Sequence, residues 1–415
     1  MSKRIGNVAD VVSWRLCLGC GACVHVCPEG ALTLVDIEGD GLRPSVTSER
    51  CAQCGECLRV CPGIAIEAPE NQDGDIASLR APWGAVLEMW EGYAADPEIR
   101  FQGSSGGVAT ALSLFCLERK GMAGALHIAS RADDPLRNEA VLSHSRAELV
   151  ARTGSRYAPA ATCSGLPLLK EATSPYVVVG KPCDIVALRK WQAIRGESSG
   201  KIGLAVSIFC AGTPSTQGTG KILESLAVSP DQVAGIRYRG CGWPGRTTVT
   251  TTAGDQDERS MSYEESWGTI LSKHTQFRCR LCPDSTGELA DISCGDPWYR
   301  QIEPDDPGRS LVLVRTDIGR AILHGAMEAG YVHLERAEPD TLPRSQRALL
   351  QRRRHLWGRL LALRGFRVPV PRYRGFSLFA NWRSLPLSEK VRSILGTVHR
   401  IRQRKWNRPL GRHDP

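Results

Sequence analysis

The sequence predicts a multidomain protein in which a small α+β unit at the N-terminus is followed by an α/β body and a basic helical tail. Three observations predict this order. A cysteine pattern occurs twice between Cys17 and Pro62, short apolar runs alternate with helical periodicity after Trp83, and the composition becomes strongly basic after Leu342. The chain has 415 residues, which is enough for two or three domains with separate hydrophobic cores.

The N-terminal unit contains an internal repeat of four cysteines followed by a proline. The first copy is Cys17-x-x-Cys20-x-x-Cys23-x-x-x-Cys27-Pro28, and 34 residues later the second copy is Cys51-x-x-Cys54-x-x-Cys57-x-x-x-Cys61-Pro62. This spacing and the trailing proline are typical of bacterial ferredoxins that hold two 4Fe-4S clusters. The repeat therefore predicts a ferredoxin-like unit over residues 1–68, with short strands at Ala31–Val35 and Leu42–Val46.

In such ferredoxins three cysteines of one run bind one cluster, and the fourth cysteine crosses to the other cluster. We therefore expect one cluster to be bound by Cys17, Cys20, Cys23 and Cys61. We expect the second to be bound by Cys51, Cys54, Cys57 and Cys27. Zinc and disulfides are weaker interpretations, because zinc is usually held by two separated pairs of ligands and disulfides need an oxidising compartment.

The composition favours an ordinary globular protein. Hydrophobic residues make up 42% of the chain and aromatic residues 6%. No apolar run reaches the ~18 residues that a membrane-spanning helix needs, and Met1–Asp10 lacks the apolar core of an export signal. We therefore expect a cytoplasmic protein, in which 16 cysteines indicate metal ligation rather than disulfides.

Positive charge is concentrated in the predicted tail, residues 343–415. This segment carries 19 Lys or Arg and 2 Asp or Glu, a net of +17, whereas the whole chain has a net charge of +9. Its arginines are interleaved with aromatic and leucine residues, and such basic helices bind anionic membranes or partner proteins. We therefore expect the tail to contact an anionic membrane or a partner protein. The alternative is a solvated helical tail that packs on the acidic body of the same chain. Nucleic acid is a weaker candidate, because only the tail suggests it.

After a polar linker at residues 69–83, the body alternates between strands and helices. Strands are predicted at Ala85–Ala94, Ala125–Ala129, Tyr176–Val179 and Ile202–Phe209. Helices are predicted at Val108–Lys120, Ile185–Ile194 and Thr219–Leu226. This alternation is typical of α/β domains.

A glycine- and serine-rich turn precedes the first of these helices. The turn is Gln102-Gly103-Ser104-Ser105-Gly106-Gly107, and the helix that follows stops at Gly121. Free backbone N–H groups and the positive end of the helix dipole can hold a phosphate or a flavin pyrophosphate there. A tight turn with a helix cap is the alternative.

A further group of cysteines lies near the end of the body. Cys279 and Cys282 are close in sequence, and Cys294 follows in a segment with several aspartates. We expect Cys183, which comes after a predicted strand, to supply a fourth ligand, because α/β sheets place their sites at strand ends. These four thiols predict a third 4Fe-4S cluster, with a zinc site or unrelated thiols as the alternatives. Four other cysteines are expected to be packing residues, namely Cys116, Cys163, Cys210 and Cys241.

Four stretches occur in the order of a known family. They are the double cysteine run; Gln102-Gly103-Ser104-Ser105-Gly106-Gly107-Val108-Ala109-Thr110-Ala111-Leu112; Gly154-Ser155-Arg156-Tyr157 with Gly180-Lys181-Pro182-Cys183; and Cys279–Asp284 with Ala290–Trp298. In this combination the chain resembles the beta subunit of coenzyme F420 hydrogenases and dehydrogenases, a family that is also similar to plant 7-hydroxymethyl chlorophyll a reductase. The resemblance covers roughly residues 15–330, and the basic tail lies outside it.

The resemblance implies a flavoprotein that contains FAD besides its iron–sulfur clusters. Residues 84–165 would be the N-terminal flavin-binding region of the beta subunit, and residues 166–342 its C-terminal α/β region with the third cysteine site. The flavin-site residues implied by the analogy are Gly103, Ser104, Ser105, Gly106, Gly107, Thr110, Ser155, Arg156, Tyr157 and Lys181. The candidates for a catalytic acid are Lys181, Tyr157 and His274.

The expected function follows from these cofactors. Clusters carry one electron each, whereas a flavin accepts one electron and delivers two. We expect electrons to pass from a ferredoxin-like donor through the 4Fe-4S clusters to FAD, and then to a small organic or deazaflavin-type acceptor. The alternative is a non-catalytic electron-transfer subunit of a larger redox complex. The tail departs from the hydrogenase subunit and favours a stand-alone protein, cytoplasmic or on the inner face of the membrane.

Overall fold

The computed structural model describes residues 5–70, 73–169, 173–196, 201–253 and 258–411. Met1 of the predicted N-terminal unit and Asn71 of the predicted linker lie outside the described residues. The α-helices are α1 (Val8–Ser13), α2 (Ala22–Val26), α3 (Glu56–Arg59), α4 (Ala77–Trp83), α5 (Pro97–Gln102), α6 (Val108–Lys120), α7 (Arg146–Ala151), α8 (Pro182–Arg195), α9 (Thr216–Leu226), α10 (Asp317–Glu328), α11 (Thr341–Ser345), α12 (Arg347–Gly365), α13 (Leu378–Arg383) and α14 (Leu387–Gln403).

The strands are β1 (Leu32–Ile37), β2 (Gly41–Val46), β3 (Ala65–Glu67), β4 (Glu88–Ala94), β5 (Ala125–Ser130), β6 (Asn138–Ser143), β7 (Tyr176–Gly180), β8 (Ile202–Ile208), β9 (Val233–Arg237), β10 (Thr247–Thr251), β11 (Glu258–Met261), β12 (Ile292–Gly295), β13 (Ser310–Val314), β14 (Val332–Arg336) and β15 (Arg372–Arg374). Short 3-10 helices cover Ser48–Arg50, Thr162–Leu169, Pro230–Gln232, Leu271–His274 and Phe277–Leu281, and a π-helix covers Glu264–Ile270.

The N-terminal unit repeats its local structure as the sequence predicts. Each cysteine run leads into a short helix, α2 or α3, through a glycine in the left-handed conformation, Gly21 (φ 86°) or Gly55 (φ 77°). Only glycine adopts this backbone at low cost, so it can turn the chain sharply between the second and third cysteines. The hairpin β1–β2 is antiparallel and joins the two runs.

The body is built on a mixed sheet of eight strands in the order β14-β4-β13-β12-β8-β7-β5-β6. The central strands β12, β8, β7 and β5 are parallel, and the outer strands are antiparallel. Side chains of α6 and α10 pack on one face, and side chains of α8, α2 and the 162–169 segment pack on the other. The N-terminal unit therefore lies against a face of the main sheet. A smaller sheet, β11-β10-β9, packs with α9.

The C-terminal helices pack on the rest of the protein. Leu356 and Leu360 of α12 and Ile401 of α14 share a buried cluster with Val11 and Trp14 of the N-terminal unit. Strand β15 also pairs in parallel with β3. Residues 343–415 thus include elements of the folded core as well as basic surface.

Part of the predicted linker, residues 69–83, is helical. Helix α4 occupies Ala77–Trp83, with Leu79 and Trp83 buried. The carbonyl oxygen of Trp83 accepts a hydrogen bond from Arg315 at 3.1 Å, which ties the helix to the body. Within the described ranges, no helix is both long and apolar enough to cross a membrane.

Candidate functional site

Four cysteines of the N-terminal unit line one small internal cavity. They are Cys17, Cys20, Cys23 and Cys61, the group that the repeat predicts for one cluster. The chain wraps tightly there, because Gly19 has φ 69° and a Cβ on it would lie 2.7 Å from the carbonyl oxygen of Leu42. The cysteine that closes the group comes from the second run, which is the crossed arrangement of two-cluster ferredoxins.

These four thiols lie in a buried environment. Burial, followed by the neighbouring Cys17, raises the pKa of the Cys61 thiol to about 11. Burial also raises the pKa of the Cys20 and Cys23 thiols. Iron–sulfur ligands must be thiolates, so such thiols lose their protons as the metal binds. Two buried and two half-buried thiols around one cavity fit the donor set of a 4Fe-4S cluster.

The second predicted group lies nearer the surface. Burial raises the pKa of the Cys57 thiol, and the neighbouring Cys54 and Cys51 raise it further. Cys54 is exposed. Cys27, the predicted fourth member, follows α2 and accepts a hydrogen bond from the N–H of Ala31 at 3.3 Å. Cys54 is thus the most exposed of the eight predicted ligands in the N-terminal unit.

A third group of thiols meets where the N-terminal unit contacts the body. It consists of Cys183, Cys210, Cys279 and Cys282. Cys183 and Cys279 share a small buried cluster with Leu18. Burial raises the pKa of the Cys183 thiol, and Cys210 and Cys279 are among the neighbours that raise it further. Burial raises the pKa of Cys282 to about 12, again with Cys279 and Cys210 nearby.

The side chain of Cys294, a predicted member of this group, packs in a different environment. It shares a hydrophobic cluster with Ile292 and Val312 on one face of β12. Ser293 points to the opposite face, where its Oγ donates to the carbonyl oxygen of Gly287 at 3.1 Å. Because side chains alternate along a strand, Cys294 faces away from the loop that carries Cys282. Cys210, expected to be a packing residue, takes its place.

The order of strands in the main sheet explains why Cys210 lies in this group. Cys183 follows β7 and Cys210 follows β8, and these two strands are parallel neighbours. Residues that follow parallel neighbours emerge at the same edge of a sheet. In the part of the chain that the structure describes, no three His, Cys, Asp or Glu side chains converge as ligands of a single metal ion. A cubane does not need that convergence, since each cysteine binds a different iron atom.

A cavity of about 280 Å³ opens at this same edge of the sheet. It brings together all but one of the predicted flavin-site residues, namely Gly103, Ser104, Ser105, Gly107, Thr110, Ser155, Arg156, Tyr157 and Lys181. The exception is Gly106, whose N–H donates to Ser310 Oγ at 2.9 Å in the packing against β13. Cys210 also lines the cavity, which therefore borders the third thiol group, and Cys294 lines it as well.

The glycine-rich turn forms one wall of the cavity. A Cβ on Gly103 would lie 2.8 Å from the Cα of Gly107, and Gly107 itself has φ 72°, so the turn depends on both glycines. Gly107 is the N-cap of α6 and has no side-chain cap. The first N–H groups of α6 therefore lack an intrahelical partner beside Val108 and Thr110, which line the cavity. A pyrophosphate can be bound at such a helix end.

Lys181 and Asp184 form a buried ion pair in the cavity wall. Lys181 Nζ donates to Asp184 Oδ2 at 2.7 Å and to the carbonyl oxygen of Ala160 at 3.0 Å. Burial acts to lower the pKa of Lys181, but the Asp184 carboxylate and nearby thiols outweigh it, so this pKa is raised. The ammonium therefore holds its proton at neutral pH. Asp184 Oδ1 is buried without a hydrogen-bond partner among the described residues, which leaves an acceptor for a ligand.

Tyr157 lies at an aromatic end of the cavity beside a buried arginine. Arg239 donates to the Tyr157 hydroxyl at 3.3 Å and makes a bidentate pair with Asp296 at 2.7 and 3.0 Å. Tyr263 stacks on Trp298 with ring centroids 5.1 Å apart. Flat rings next to a fixed donor suit a planar organic molecule.

Two predicted residues have different surroundings. Arg156 lines the cavity, but its guanidinium is held by the Asn138 side chain at 2.7 Å and by the carbonyl oxygens of Ile236 and Pro135 at 2.7 and 2.8 Å. Arg156 therefore stabilises the cavity wall. His274 is not part of the cavity lining and lies apart from the other acid candidates.

A short hydrogen-bonded path links the N-terminal unit to the cavity. The N–H of Cys163 donates to the carbonyl oxygen of Cys20 at 3.0 Å. Cys163 Sγ donates to the carbonyl oxygen of Asp184 at 3.4 Å. The adjacent Thr162 hydroxyl donates to Asp184 Oδ2 at 2.9 Å. The 162–169 segment thus contacts the first thiol group and the cavity wall at once.

Comparison with protein families gives three matches. Residues 16–65 match the 4Fe-4S dicluster domain. Residues 89–166 match the N-terminal part, and residues 174–340 the C-terminal part, of the coenzyme F420 hydrogenase/dehydrogenase beta subunit. The chain belongs to this beta subunit family. The resemblance noted from its motifs is confirmed, and its N-terminal unit is an iron–sulfur domain.

Relatives of this beta subunit family member are redox proteins. It is 26% identical over 300 residues to the coenzyme F420 hydrogenase subunit beta of Methanococcus voltae, which covers 70% of this chain and 99% of that protein. It is 28% identical to the subunit of the same name from Methanothermobacter thermautotrophicus, over 60% of this chain and 83% of that one. It is 24% identical to the coenzyme F420-dependent sulfite reductase of Methanocaldococcus jannaschii, over 79% of this chain and 49% of that protein.

The fold has a counterpart among solved structures. A chain of the F420-reducing [NiFe] hydrogenase complex from Methanosarcina barkeri superimposes with a TM-score of 0.52 and 21% sequence identity. The match covers 80% of this family member and 98% of that chain. Together the comparisons support an iron–sulfur protein with a mixed α/β body and a redox role.

Proposed function

We propose that this protein is a flavin-dependent iron–sulfur oxidoreductase that links a ferredoxin-like donor to a small organic or deazaflavin-type acceptor. The observation that carries the proposal is a single cavity that contains the glycine-rich turn and the Lys181–Asp184 pair and also borders Cys210. The sequence suggested the glycine-rich turn and Lys181 separately and Cys210 only as a packing residue. Gly103 and Cys210 are more than 100 residues apart along the chain. Their convergence is what a cofactor site beside a redox centre requires.

The thiol groups follow one another from the surface towards the cavity. Cys54 of the second group is exposed, and Cys57 of the same group neighbours Cys23 of the first group. This order supports entry of electrons at the second group. A donor that docks over Cys54 would face the cluster with the least protein cover.

The first and third groups are joined by a buried arginine. The guanidinium of Arg43 donates to Asp40 at 2.7 Å and to Gln276 at 3.1 Å. Burial acts to lower its pKa, but Cys17 of the first group and Cys279 of the third help to raise it. Arg43 therefore lies between the two groups, where its positive charge would stabilise electrons on either one.

The cavity offers contacts for two parts of FAD. The N-terminus of α6 suits the pyrophosphate, and the unpaired Asp184 Oδ1 suits a hydroxyl or N–H of the ligand. FAD, when bound, would exchange single electrons with clusters and electron pairs with an organic acceptor. At the aromatic end of the cavity, an acceptor would lie beside Tyr157 as a proton donor.

Tyr157 is the best candidate for the proton donor. Its hydroxyl oxygen accepts a hydrogen bond from Arg239, so the Tyr157 O–H remains a donor, either to the neighbouring Tyr263 hydroxyl or to a ligand. Lys181 is less suitable, because the Asp184 carboxylate raises its pKa and keeps the ammonium charged. The role of Lys181 is to hold Asp184 and to give the cavity wall a fixed positive charge.

Anaerobic purification with quantification of iron and flavin tests the proposal. We expect about twelve irons, from three cubanes of four irons each, together with bound FAD. A reduced ferredoxin should bleach the flavin absorbance. Tyr157→Phe should keep the flavin and its reduction by ferredoxin but slow turnover with an acceptor roughly 100-fold. Protein that holds iron but no flavin would instead favour a non-catalytic electron-transfer subunit.

The C-terminal segment supports a contact with an anionic membrane surface. Leu387, Val391 and Leu395 recur every four residues on α14 and are 76%, 44% and 60% exposed; we call them the α14 stripe. Their segment, residues 343–415, has a net charge of +17, which matches an anionic lipid surface. The same helix thus presents apolar side chains to solvent within a strongly basic surface.

A further inference from the structure

Five arginines from three separate elements meet on one side of the C-terminal helices. They are Arg280, Arg352, Arg359, Arg400 and Arg404, here called the arginine cluster. Arg352 and Arg359 are seven residues apart on α12 and so share a face of that helix. Arg359 Nη1 donates to the carbonyl oxygen of Arg280 at 3.0 Å, which brings the Phe277–Leu281 turn to the same place.

Helix α14 completes the cluster. It packs so closely on α12 that a Cβ on Gly358 would overlap Ser393 Oγ. Arg400 lies in the last turn of α14, and Arg404 is its C-cap residue. Burial and the repulsion of neighbouring arginines lower the pKa of Arg359 to about 10. The same two causes lower the pKa of Arg400.

Within the described ranges, no carboxylate is paired with these charges. None of the five arginines takes part in a salt bridge among the residues that the structure describes. Their hydrogen bonds go to uncharged oxygens, such as the Lys273 carbonyl at 3.5 Å from Arg280 Nη2 and Thr397 Oγ1 at 3.5 Å from Arg400 Nη2. Clustered cations without a counter-ion destabilise a protein, and an anionic ligand would remove that repulsion.

We propose that the arginine cluster is a binding site for a phosphate-bearing anion. Arginine side chains form paired hydrogen bonds to phosphate oxygens, and several guanidinium groups can surround one phosphate. A phosphomonoester carries about −1.5 to −2 charges at neutral pH and offers three acceptor oxygens, which suits more than two arginines. The site adjoins the third thiol group, because Arg280 lies between Cys279 and Cys282 in sequence.

The phosphate can come from a lipid headgroup or from a soluble molecule. The first source is consistent with α14, which carries both Arg400 of the cluster and the exposed α14 stripe. The second needs only the arginine cluster. The two sources are distinguished by offering one phosphate-bearing anion in soluble form and another on a vesicle.

The experiment uses the anaerobically purified full-length protein and two probes. The soluble probe is pyrophosphate, and its binding is followed by calorimetry in a sulfate-free buffer. The membrane probe is a phosphatidylcholine vesicle that contains phosphatidic acid, compared with a vesicle of equal surface charge that contains phosphatidylserine. The cluster variant is Arg359→Gln with Arg400→Gln. The matched control is Arg383→Gln with Arg402→Gln, which removes the same charge from exposed positions on α13 and α14.

We expect the wild type and the control variant to bind one of the two probes, and the cluster variant to bind it at least about tenfold more weakly. Binding of pyrophosphate identifies a soluble ligand, and preference for phosphatidic acid over phosphatidylserine vesicles identifies a headgroup. Binding to neither probe overturns the proposal. Equally weak binding by the control variant also overturns it, because binding would then depend only on the total charge of the protein.

A stability measurement separates a lost site from a damaged fold. Without ligand, the cluster variant should melt at the same temperature as the wild type or higher, because it lacks some of the repulsion. Pyrophosphate or phosphatidic acid should raise the melting temperature of the wild type only. If the cluster variant melts lower, Arg404→Gln decides, since Arg404 is exposed and its substitution removes no buried contact. If Arg404→Gln then binds the probe as strongly as the wild type, the proposal is overturned.

Discussion

Arg353 of α12 donates to Glu288 of the body in a buried ion pair. Both side chains are almost fully enclosed, and Arg353 also donates to the carbonyl oxygen of Phe376 at 2.9 Å. A buried pair is costly to break from one side, because the remaining charge loses its partner. The basic C-terminal segment is therefore attached to the body by an electrostatic contact as well as by its apolar residues.

We expect Arg353→Leu to lower the free energy of unfolding by about 3–5 kcal/mol. Arg344→Leu, which removes an exposed arginine paired with Asp340, should cost less than about 1 kcal/mol. Anaerobic calorimetry of both variants measures the difference. Similar melting temperatures for the two variants would show that the Glu288 contact contributes little.

The effect of Arg353→Leu should also depend on pH. Burial raises the pKa of Glu288, and Arg353 opposes that shift. Without Arg353 the folded-state pKa rises further above the unfolded value of about 4.3, so the native state binds an extra proton over a wider pH range. Stability lost to the variant therefore grows as the pH rises through that range, and the deficit should be smaller near pH 5 than near pH 8. A deficit that is constant with pH would exclude Glu288 as its cause.

Cys210→Ser should remove about four of about twelve irons per chain, as should Cys282→Ser, because both thiols belong to the third group. Cys294→Ser should keep its full iron content, since Cys294 packs on the other face of β12. Iron analysis and electron paramagnetic resonance of the reduced proteins make the comparison. Loss of iron from Cys294→Ser, with Cys210→Ser unchanged, would reverse the assignment.

Gly107→Ala and Gly121→Ala form a matched pair for the flavin site. Both glycines have left-handed backbones, at φ 72° and 63°, and they stand at the two ends of α6. Each substitution costs about 1–2 kcal/mol in backbone strain. Only at Gly107 does the new Cβ also clash, 2.5 Å from the carbonyl oxygen of Ile99, whereas nothing lies within 4 Å at Gly121. We expect Gly107→Ala to lose its flavin and Gly121→Ala to retain it, as measured by absorbance after purification.

The α14 stripe should govern any membrane contact. We expect the full-length protein to sediment with anionic liposomes at low salt and less at high salt, with about 1 kcal/mol of attraction per basic residue near the surface. Replacement of the stripe by serine should abolish sedimentation, whereas Ile318→Ser, at a residue of the body that is 57% exposed, should not. Binding of wild type and stripe variant to the same extent, or capture of neither, would favour a protein partner for this helix. Removal of the whole segment is not a clean test, because Leu356 and Ile401 belong to the core.

Elements that depend on a short stretch of sequence could be predicted from that stretch. Helix α6 has the predicted bounds, because glycines with left-handed backbones stand at both ends. The first thiol group followed from the repeat alone, since a ferredoxin-type motif carries its geometry in its spacing. The resemblance to a family supplied the flavin-site residues, and all but Gly106 line one cavity.

Features that depend on the order of strands in the sheet could not be predicted from short stretches of sequence. Cys210 was taken for a packing residue because its partner Cys183 is brought near only by the parallel pairing of β7 and β8. His274 was a candidate because it precedes Cys279 in sequence, but it is not among the residues that line the cavity. The basic charge of the C-terminal segment suggested a separate tail. Its leucines were therefore not predicted to pack on the N-terminal unit, as they do.

The pairing of β3 with β15 joins residues 65–67 to residues 372–374. Leu356 and Leu360 likewise share the buried cluster that contains Cys17. During synthesis on the ribosome, the N-terminal unit therefore emerges some 300 residues before the strand and helices that cover it. The pocket for its first cluster reaches its final enclosure only after these C-terminal elements have been synthesised, so the cell must deliver iron and sulfide to an open site or wait until those elements have folded.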